Sequence, residues 1–338
     1  MTITAKSFRK VMATTLSMAV AAVLTAGGLT AQAADTPLNY RLKWLLNVST
    51  VGDVWADTHG LFRREGLAVT VKAGGPERNA IRELELGQAD FGVASADQVI
   101  RSLSKGSPVV VIAQLFQINP LQWMHRTTMA APRRLADLKG RTIGITYGGN
   151  DETIMRTLLA RGGIAESEVT LFSVRYDYTP FYRGRVDLWP VYRNAQGPII
   201  ARHLKKAGEA VAFFDPTDFG VRFVANSVIT SRKMLQRDPE TARRFTRALL
   251  TGWREALAEA NEPQVQAMLQ KIDPDTPPEV LKEQLILTRQ MVLPSKQTVL
   301  GSLDVDAWRQ TETILLEQKQ IPAPVAVQRA LVTDLIPQ

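Results

Sequence analysis

The chain contains no cysteine. Disulfides, thiolate nucleophiles, iron–sulfur clusters and cysteine-ligated zinc are therefore excluded, as is a lipid-modified N-terminal cysteine. Histidine is scarce: His59, His125 and His203 are the only three. None is spaced with another histidine or a carboxylate cluster as a metal site requires. Neither a G-x-S-x-G elbow nor a G-x-x-x-x-G-K-[S/T] loop occurs, which removes a serine-hydrolase elbow and a P-loop for ATP. Nothing in the sequence calls for a cofactor or a metal. Concentrated charge is missing too. The formal net charge is +8, but the bases are scattered among acids. A nucleic-acid footprint needs clustering, so no nucleic-acid partner is expected. After residue 29 no apolar run approaches the length of a membrane span.

What is present begins with an export pattern. Lys6, Arg9 and Lys10 form a basic start, an apolar stretch covers 11–29, and Ala31-Gln32-Ala33 is a small-x-small cleavage site. That order predicts a signal peptide over 1–33. A membrane anchor fits less well, because the stretch is short, diluted by Thr and Gly, and followed by the cleavage site. The mature protein is expected to be a periplasmic monomer, long enough for two domains.

The remaining pattern alternates short apolar strands with helices, which predicts α/β architecture with mainly parallel sheets. Strands are expected over 38–45, 67–71, 89–94 and 109–115, with helices over 51–65, 78–86 and 97–105 between them. Gly66, Gly87 and Gly106 stand where helix-ending glycines belong. The run 109–115 is almost purely apolar, as in a strand buried on both faces. A second unit follows, with strands over 142–145, 169–174, 186–191 and 211–214 and a helix over 152–161. A return strand is expected over 224–230. Long amphipathic helices are expected over 239–261, 278–291 and 306–318. This predicts one lobe from 36–124 plus 228–338 and another from 125–227, with a ligand cleft between them.

Several segments carry a family resemblance. They are Lys43-Trp44, Gly60-Leu61-Phe62-Arg63-Arg64-Glu65-Gly66-Leu67, Gly87-Gln88-Ala89-Asp90-Phe91-Gly92-Val93, Asp137-Leu138-Lys139-Gly140-Arg141-Thr142-Ile143-Gly144 and Val186-Asp187-Leu188-Trp189-Pro190-Val191-Tyr192-Arg193-Asn194. Together they resemble the solute-binding components of ABC importers, in particular the group that binds thiamine-pyrimidine precursors and, more distantly, sulfonate and taurine binders. The resemblance implies a type II periplasmic binding protein fold, no catalysis, and delivery of a small heteroaromatic solute to an inner-membrane permease. Two alternatives stand beside it. One is a receptor of the same fold for a sulfonate or other organic anion. The other is a hydroxymethylpyrimidine-synthase-like enzyme, which the missing cysteine and the export pattern disfavour. The pyrimidine branch often has Asn-Glu after its aromatic pair, whereas this chain has Asn194-Ala195-Gln196, so Gln196 is a candidate replacement.

A flat heteroaromatic ligand needs ring faces to stack on and a few fixed hydrogen bonds. Trp44, at the expected end of the first strand, is either a ligand stack or core. Asn47 in the next loop reads as polar lining. Gly75, in Gly74-Gly75-Pro76, and Ser95 lie at strand ends of the first lobe, with Asp97 and Asn226 as lesser candidates. Tyr147, Gly148, Gly149 and Asn150 open a helix, and their backbone N–H groups are expected either to hold an anion or carbonyl or to form an ordinary turn capped by Asn150 or Asp151. Trp189 and Tyr192 are expected to bracket a ring from one face of a loop, with Asn194 reading ring nitrogens.

Overall fold

The computed structural model describes residues 36–75, 77–175 and 177–336. The expected signal peptide over 1–33 lies outside them. No helix among the described residues is long and apolar enough to cross a membrane.

The first sheet has β1 (Thr36–Arg41) parallel between β2 (Leu67–Lys72) and β3 (Phe91–Ala94). Its connections are α1 (Val51–Thr58), α2 (Leu61–Arg64), α3 (Ala80–Glu85) and α4 (Ala96–Leu103), leading to β4 (Val109–Gln114). Every residue of β4, Val-Val-Val-Ile-Ala-Gln, is buried, as its unbroken apolar run demands.

The chain then enters a second sheet through β5 (Leu121–Arg126). β6 (Thr142–Ile145), α5 (Asn150–Arg161), β7 (Thr170–Ser173), α6 (Thr179–Tyr182), β8 (Trp189–Tyr192), α7 (Gln196–Lys206) and β9 (Val211–Phe214) follow. β5 runs antiparallel between β8 and β9. A parallel bridge from Ile143 to Leu188 joins the β6–β7 pair to β8. β10 (Ser227–Ser231) returns to the first sheet and runs antiparallel between β3 and β4. The two orders, β2-β1-β3-β10-β4 and β7-β6-β8-β5-β9, follow one plan. In each, the single reversed strand is the first one laid down after a crossover.

Five helices complete the chain: α8 (Arg232–Arg237), α9 (Pro239–Leu257), α10 (Glu262–Ile272), α11 (Pro278–Val292) and α12 (Val305–Glu317). α9 packs on α1 at paired glycines. A Cβ on Gly252 would stand 2.6 Å from the Ala56 Cβ, and one on Gly52 would stand 2.2 Å from the Trp253 ring. Phe245 of α9 stacks on Phe91 of β3 with centroids 3.7 Å apart, tying this helix pair to the sheet.

Several expected boundaries are corrected. The first strand ends at Arg41, so Trp44 lies in the following loop. The helix expected over 51–65 is two helices, broken at Gly60, whose φ of 67° is left-handed. The helix expected over 239–261 stops at Leu257, and α10 was not anticipated. A boundary at 124/125 would cut β5, which begins at Leu121. The crossovers are 115–120 and 215–226, between β4 and β5 and between β9 and β10.

Candidate functional site

Because β1 to β4 are parallel, their C-terminal ends share one sheet edge with the start of β10. The ends of β6, β7, β8 and β9 share an edge with the start of β5. The crossovers join these two edges, and side chains span them. Lys43 Nζ donates to the Tyr192 hydroxyl at 3.0 Å. Asn194 Nδ2 donates to Ser49 Oγ at 3.0 Å and to Thr288 Oγ1 at 2.9 Å. In open α/β sheets ligands bind outside the carboxyl ends of the strands, so this junction is the candidate site.

On the first edge, Trp44 is partly buried, and its carbonyl accepts from Gly74 N at 2.8 Å. That contact requires glycine, since a Cβ on Gly74 would lie 2.1 Å from the Leu42 carbonyl oxygen. Gly75 follows, partly exposed, with φ at 149°. Asn47 is engaged locally: its Oδ1 accepts from Ser49 N at 2.7 Å, capping the turn Val48–Thr50. It is a support for the loop rather than open polar lining. Ser95 is buried, with its Oγ 2.6 Å from Asp97 Oδ1. Its hydroxyl is already held within its own half.

On the second edge, Tyr147 is 56% exposed at the tip of the loop before α5. Gly148 has φ at 79°, and Gly149 is the N-cap, so neither Asn150 nor Asp151 takes that place. Three of the loop's N–H groups are already taken. Thr146 N donates to Asp151 at 2.6 Å, Gly148 N to Glu152 at 2.7 Å and Gly149 N to the Thr146 carbonyl at 2.8 Å. Asp151 is buried, and burial raises its pKa from 3.8 to about 6, against the opposing effects of the Thr146 hydrogen bonds and the Lys43 charge. Two acidic side chains, Asp151 and Glu152, thus hold this loop from within.

The expected clamp of Trp189 and Tyr192 is corrected. Both lie on β8, three residues apart, and such positions on a strand face opposite sides. Trp189 is 1% exposed and packs with Met124, Val174, Phe181 and Val191 in the core. Tyr192 is partly exposed at the junction, where Lys43 meets it. Asn194 is fully buried and bridges the turn after β1 to α11. Gln196 Oε1 accepts from Tyr192 N at 3.0 Å, so that oxygen holds the end of β8.

Sequence reasoning missed Gln122, because β5 was not recognised. Its Nε2 donates to the Asp215 carboxylate at the end of β9. That bond fixes the amide, leaving Gln122 Oε1 as a buried acceptor without a partner. Asn194 Oδ1 is another. Thr288 gives its hydroxyl proton to the Gln284 carbonyl at 2.8 Å, so it accepts from Asn194 Nδ2 and fixes that amide too. Asn226 Oδ1, at the start of β10, and Asn150 Nδ2, at the start of α5, are likewise buried and unpartnered. Four orphaned amide atoms therefore stand on the two facing edges.

Two of the three histidines stack on aromatic rings: His59 on Trp55 with centroids 3.6 Å apart, and His203 on Tyr182 at 4.0 Å. Among the described residues no group of three His, Cys, Asp or Glu side chains is placed to hold a metal.

Residues 47–263, more than half of the chain, match the family described as NMT1/THI5 like. Among curated proteins the chain is 27% identical over 266 residues to the riboflavin-binding protein RibY of Chloroflexus aurantiacus, covering 73% of this chain and 70% of that one. It is 26% identical over 304 residues to the formylaminopyrimidine-binding protein of Halalkalibacterium halodurans, covering 87% and 89%. The alkanesulfonate-binding protein SsuA of Xanthomonas axonopodis pv. citri has the same fold, with a TM-score of 0.67 at 17% identity over 88% of this chain and 98% of that one. The desulfurization enzyme DSZB shares it at 0.58 and 13% identity, over 89% and 97%. The fold is thus that of periplasmic binding proteins, and by itself it accommodates both binding and catalysis.

Proposed function

The chain belongs to the NMT1/THI5-like family, and from that membership we propose that it is the exported solute-binding component of an ABC importer, selecting a nitrogen heterocycle of the aminopyrimidine class. Its two sheets form the lobes, the crossovers 115–120 and 215–226 form the hinge, and the ligand sits between the facing edges. Trp44, Gly75, Tyr147 and Tyr192 line that space with Gln122, Asn150, Asn194 and Asn226. Asn47 and Ser95 support the loops. The protein works as a monomer and hands its cargo to an inner-membrane permease, without a cofactor and without catalysis.

The observation that carries this reading is the polarity of the orphaned amides. Three are acceptors, Gln122 Oε1, Asn194 Oδ1 and Asn226 Oδ1, and one is a donor, Asn150 Nδ2. A buried polar group left unsatisfied costs about 1–3 kcal/mol. An amino-substituted ring offers both N–H donors and ring-nitrogen acceptors. A sulfonate offers only acceptors and would meet Asp151 and Glu152 as well. The names of the relatives, a riboflavin binder and a formylaminopyrimidine binder, point to the same chemistry. Calorimetric titration of the mature protein with hydroxymethylpyrimidine, riboflavin and ethanesulfonate tests the reading: heat with a heterocycle and none with ethanesulfonate supports it, and the reverse refutes it.

A further inference from the structure

A second polar system lies beside the junction, on the flank where α4 meets α5. Arg101, in the last turn of α4, makes three contacts with three different segments. Its Nη2 donates to Asp97 Oδ2 at 2.5 Å on its own helix. Its Nη1 donates to Thr153 Oγ1 at 3.0 Å on α5 and to Gln320 Oε1 at 2.9 Å beyond α12. Gln320 Nε2 in turn donates to Gln318 Oε1 at 2.6 Å, and Gln318 Nε2 to Thr157 Oγ1 at 2.6 Å, one turn further along α5. Asp97 is fully buried, and its other oxygen is 2.6 Å from Ser95 Oγ at the end of β3. An unbroken chain of contacts therefore runs from the Ser95 wall through Asp97 and Arg101 to Thr153. Thr153 is buried in the first turn of the helix that the Tyr147–Asn150 loop opens.

This route joins the two edges, from Ser95 on the first to the start of α5 on the second. Arg101 lines a hollow of about 560 Å³ with Gly148, Gly149, Glu152, Thr153 and Gln320. Its other charged residues are spoken for, since Arg156 pairs with Glu152 and Glu166. Arg101 binds both the first sheet's α4 and the second sheet's α5 through the hydrogen bonds above. A planar guanidinium held at several donors fixes orientation as well as distance, which a lysine cannot do.

We propose that Arg101 is a positioning residue, registering the Ser95 wall of one half against the Tyr147–Asn150 loop of the other so that the site is held shut around its ligand. The proposal rests on the reading that the ligand lies between the facing edges. Arg101 does not touch the ligand. Its loss therefore changes how long the closed form persists and leaves the encounter unchanged.

The test uses Thr153→Val, which removes only the contact across the junction and keeps the Arg101–Asp97 pair, together with Arg101→Gln. Because the chain has no cysteine, Gln88→Cys with Ser167→Cys gives a unique pair of exposed spin labels, one on each half. In the ligand-free protein both variants should broaden the label distance distribution toward longer values. With hydroxymethylpyrimidine, riboflavin or ethanesulfonate, whichever the unsubstituted protein binds, each variant should speed dissociation about tenfold, equivalent to about 1.4 kcal/mol, with association unchanged. The double variant should add little, as expected for two groups acting through one contact. An unchanged distance distribution overturns the proposal. So does a lower melting temperature with unchanged dissociation, which marks Arg101 as structural only. If the unsubstituted protein binds none of the three probes, the ligand reading fails, and the distance distribution still decides the role of Arg101.

Discussion

Lys43 Nζ lies 3.0 Å from the Tyr192 hydroxyl and 5.6 Å from the centre of the same ring. One residue follows β1 and the other ends β8, so a single ammonium ties the two sheet edges while its charge opposes the protonation of buried Asp151. Lys43→Met removes a nearby positive charge, which disfavours the carboxylate form. The Asp151 pKa should then rise above its value of about 6. Carbon-detected NMR titration of the Asp side chains reads this directly, and an unmoved or lowered value would contradict the geometry.

Trp189 and Tyr192 should separate stability from binding. Trp189→Ala empties a packed core position and should cost about 3–5 kcal/mol of stability, read as a fall in the urea midpoint. Tyr192→Phe keeps the ring and loses only the hydroxyl contact to Lys43. It should leave the midpoint nearly unchanged and weaken ligand affinity. A Trp189→Ala variant of unaltered stability would place that ring in the site after all.

Asp53 supplies a pH signature. It is buried on α1, accepts from the Tyr40 hydroxyl at 2.5 Å, and burial raises its pKa from 3.8 to about 7. A folded-state pKa above the unfolded value means that the native state holds the proton more tightly. Stability from this group is then greatest below pH 3.8, falls as pH rises toward about 7, and levels off above it. Asp53→Asn keeps an acceptor for Tyr40 and abolishes the titration. Urea unfolding between those limits should show a slope in the unsubstituted protein that the variant lacks; equal slopes would locate the effect elsewhere.

The helix crossing of α1 and α9 tolerates no added atom. Gly252→Ala would set a methyl 2.6 Å from the Ala56 Cβ and 2.7 Å from the Gly52 carbonyl oxygen. Overpacking of this kind costs about 1–3 kcal/mol. Thermal unfolding should show the loss; a neutral outcome would mean the helices separate more readily than the contacts imply.

The α/β rhythm was readable because β-branched runs such as 109–115 and helix-ending glycines such as Gly66, Gly87 and Gly106 mark elements locally. β5 was not readable: Leu-Gln-Trp-Met-His-Arg carries polar residues on a strand that tertiary packing buries almost completely. Missing it hid Gln122 and misplaced the crossover. The sequence marked residues at the ends of strands on both edges, but not how their side chains are engaged. The spacing of Trp189 and Tyr192 suits one helix face, whereas a strand sends them to opposite sides. The glycine loop read either as a holder of an anion or carbonyl or as an ordinary capped turn, because no sequence pattern reveals that Asp151 and Glu152 turn back onto Thr146 and Gly148. Asn194 was expected to face ligand; its Nδ2 instead ties Ser49 to Thr288, and only its oxygen is left over.

The most direct test of the central claim is the effect of Gln122→Met on calorimetric titrations with hydroxymethylpyrimidine and with ethanesulfonate. Gln122 Oε1 is a buried acceptor whose orientation Asp215 fixes. If the site selects N–H donors, the unsubstituted protein binds the aminopyrimidine and ignores ethanesulfonate, which has none. The variant then loses about tenfold or more in aminopyrimidine affinity, the worth of one buried hydrogen bond. Binding of ethanesulfonate by the unsubstituted protein, with Gln122→Met unchanged or improved, would contradict the account.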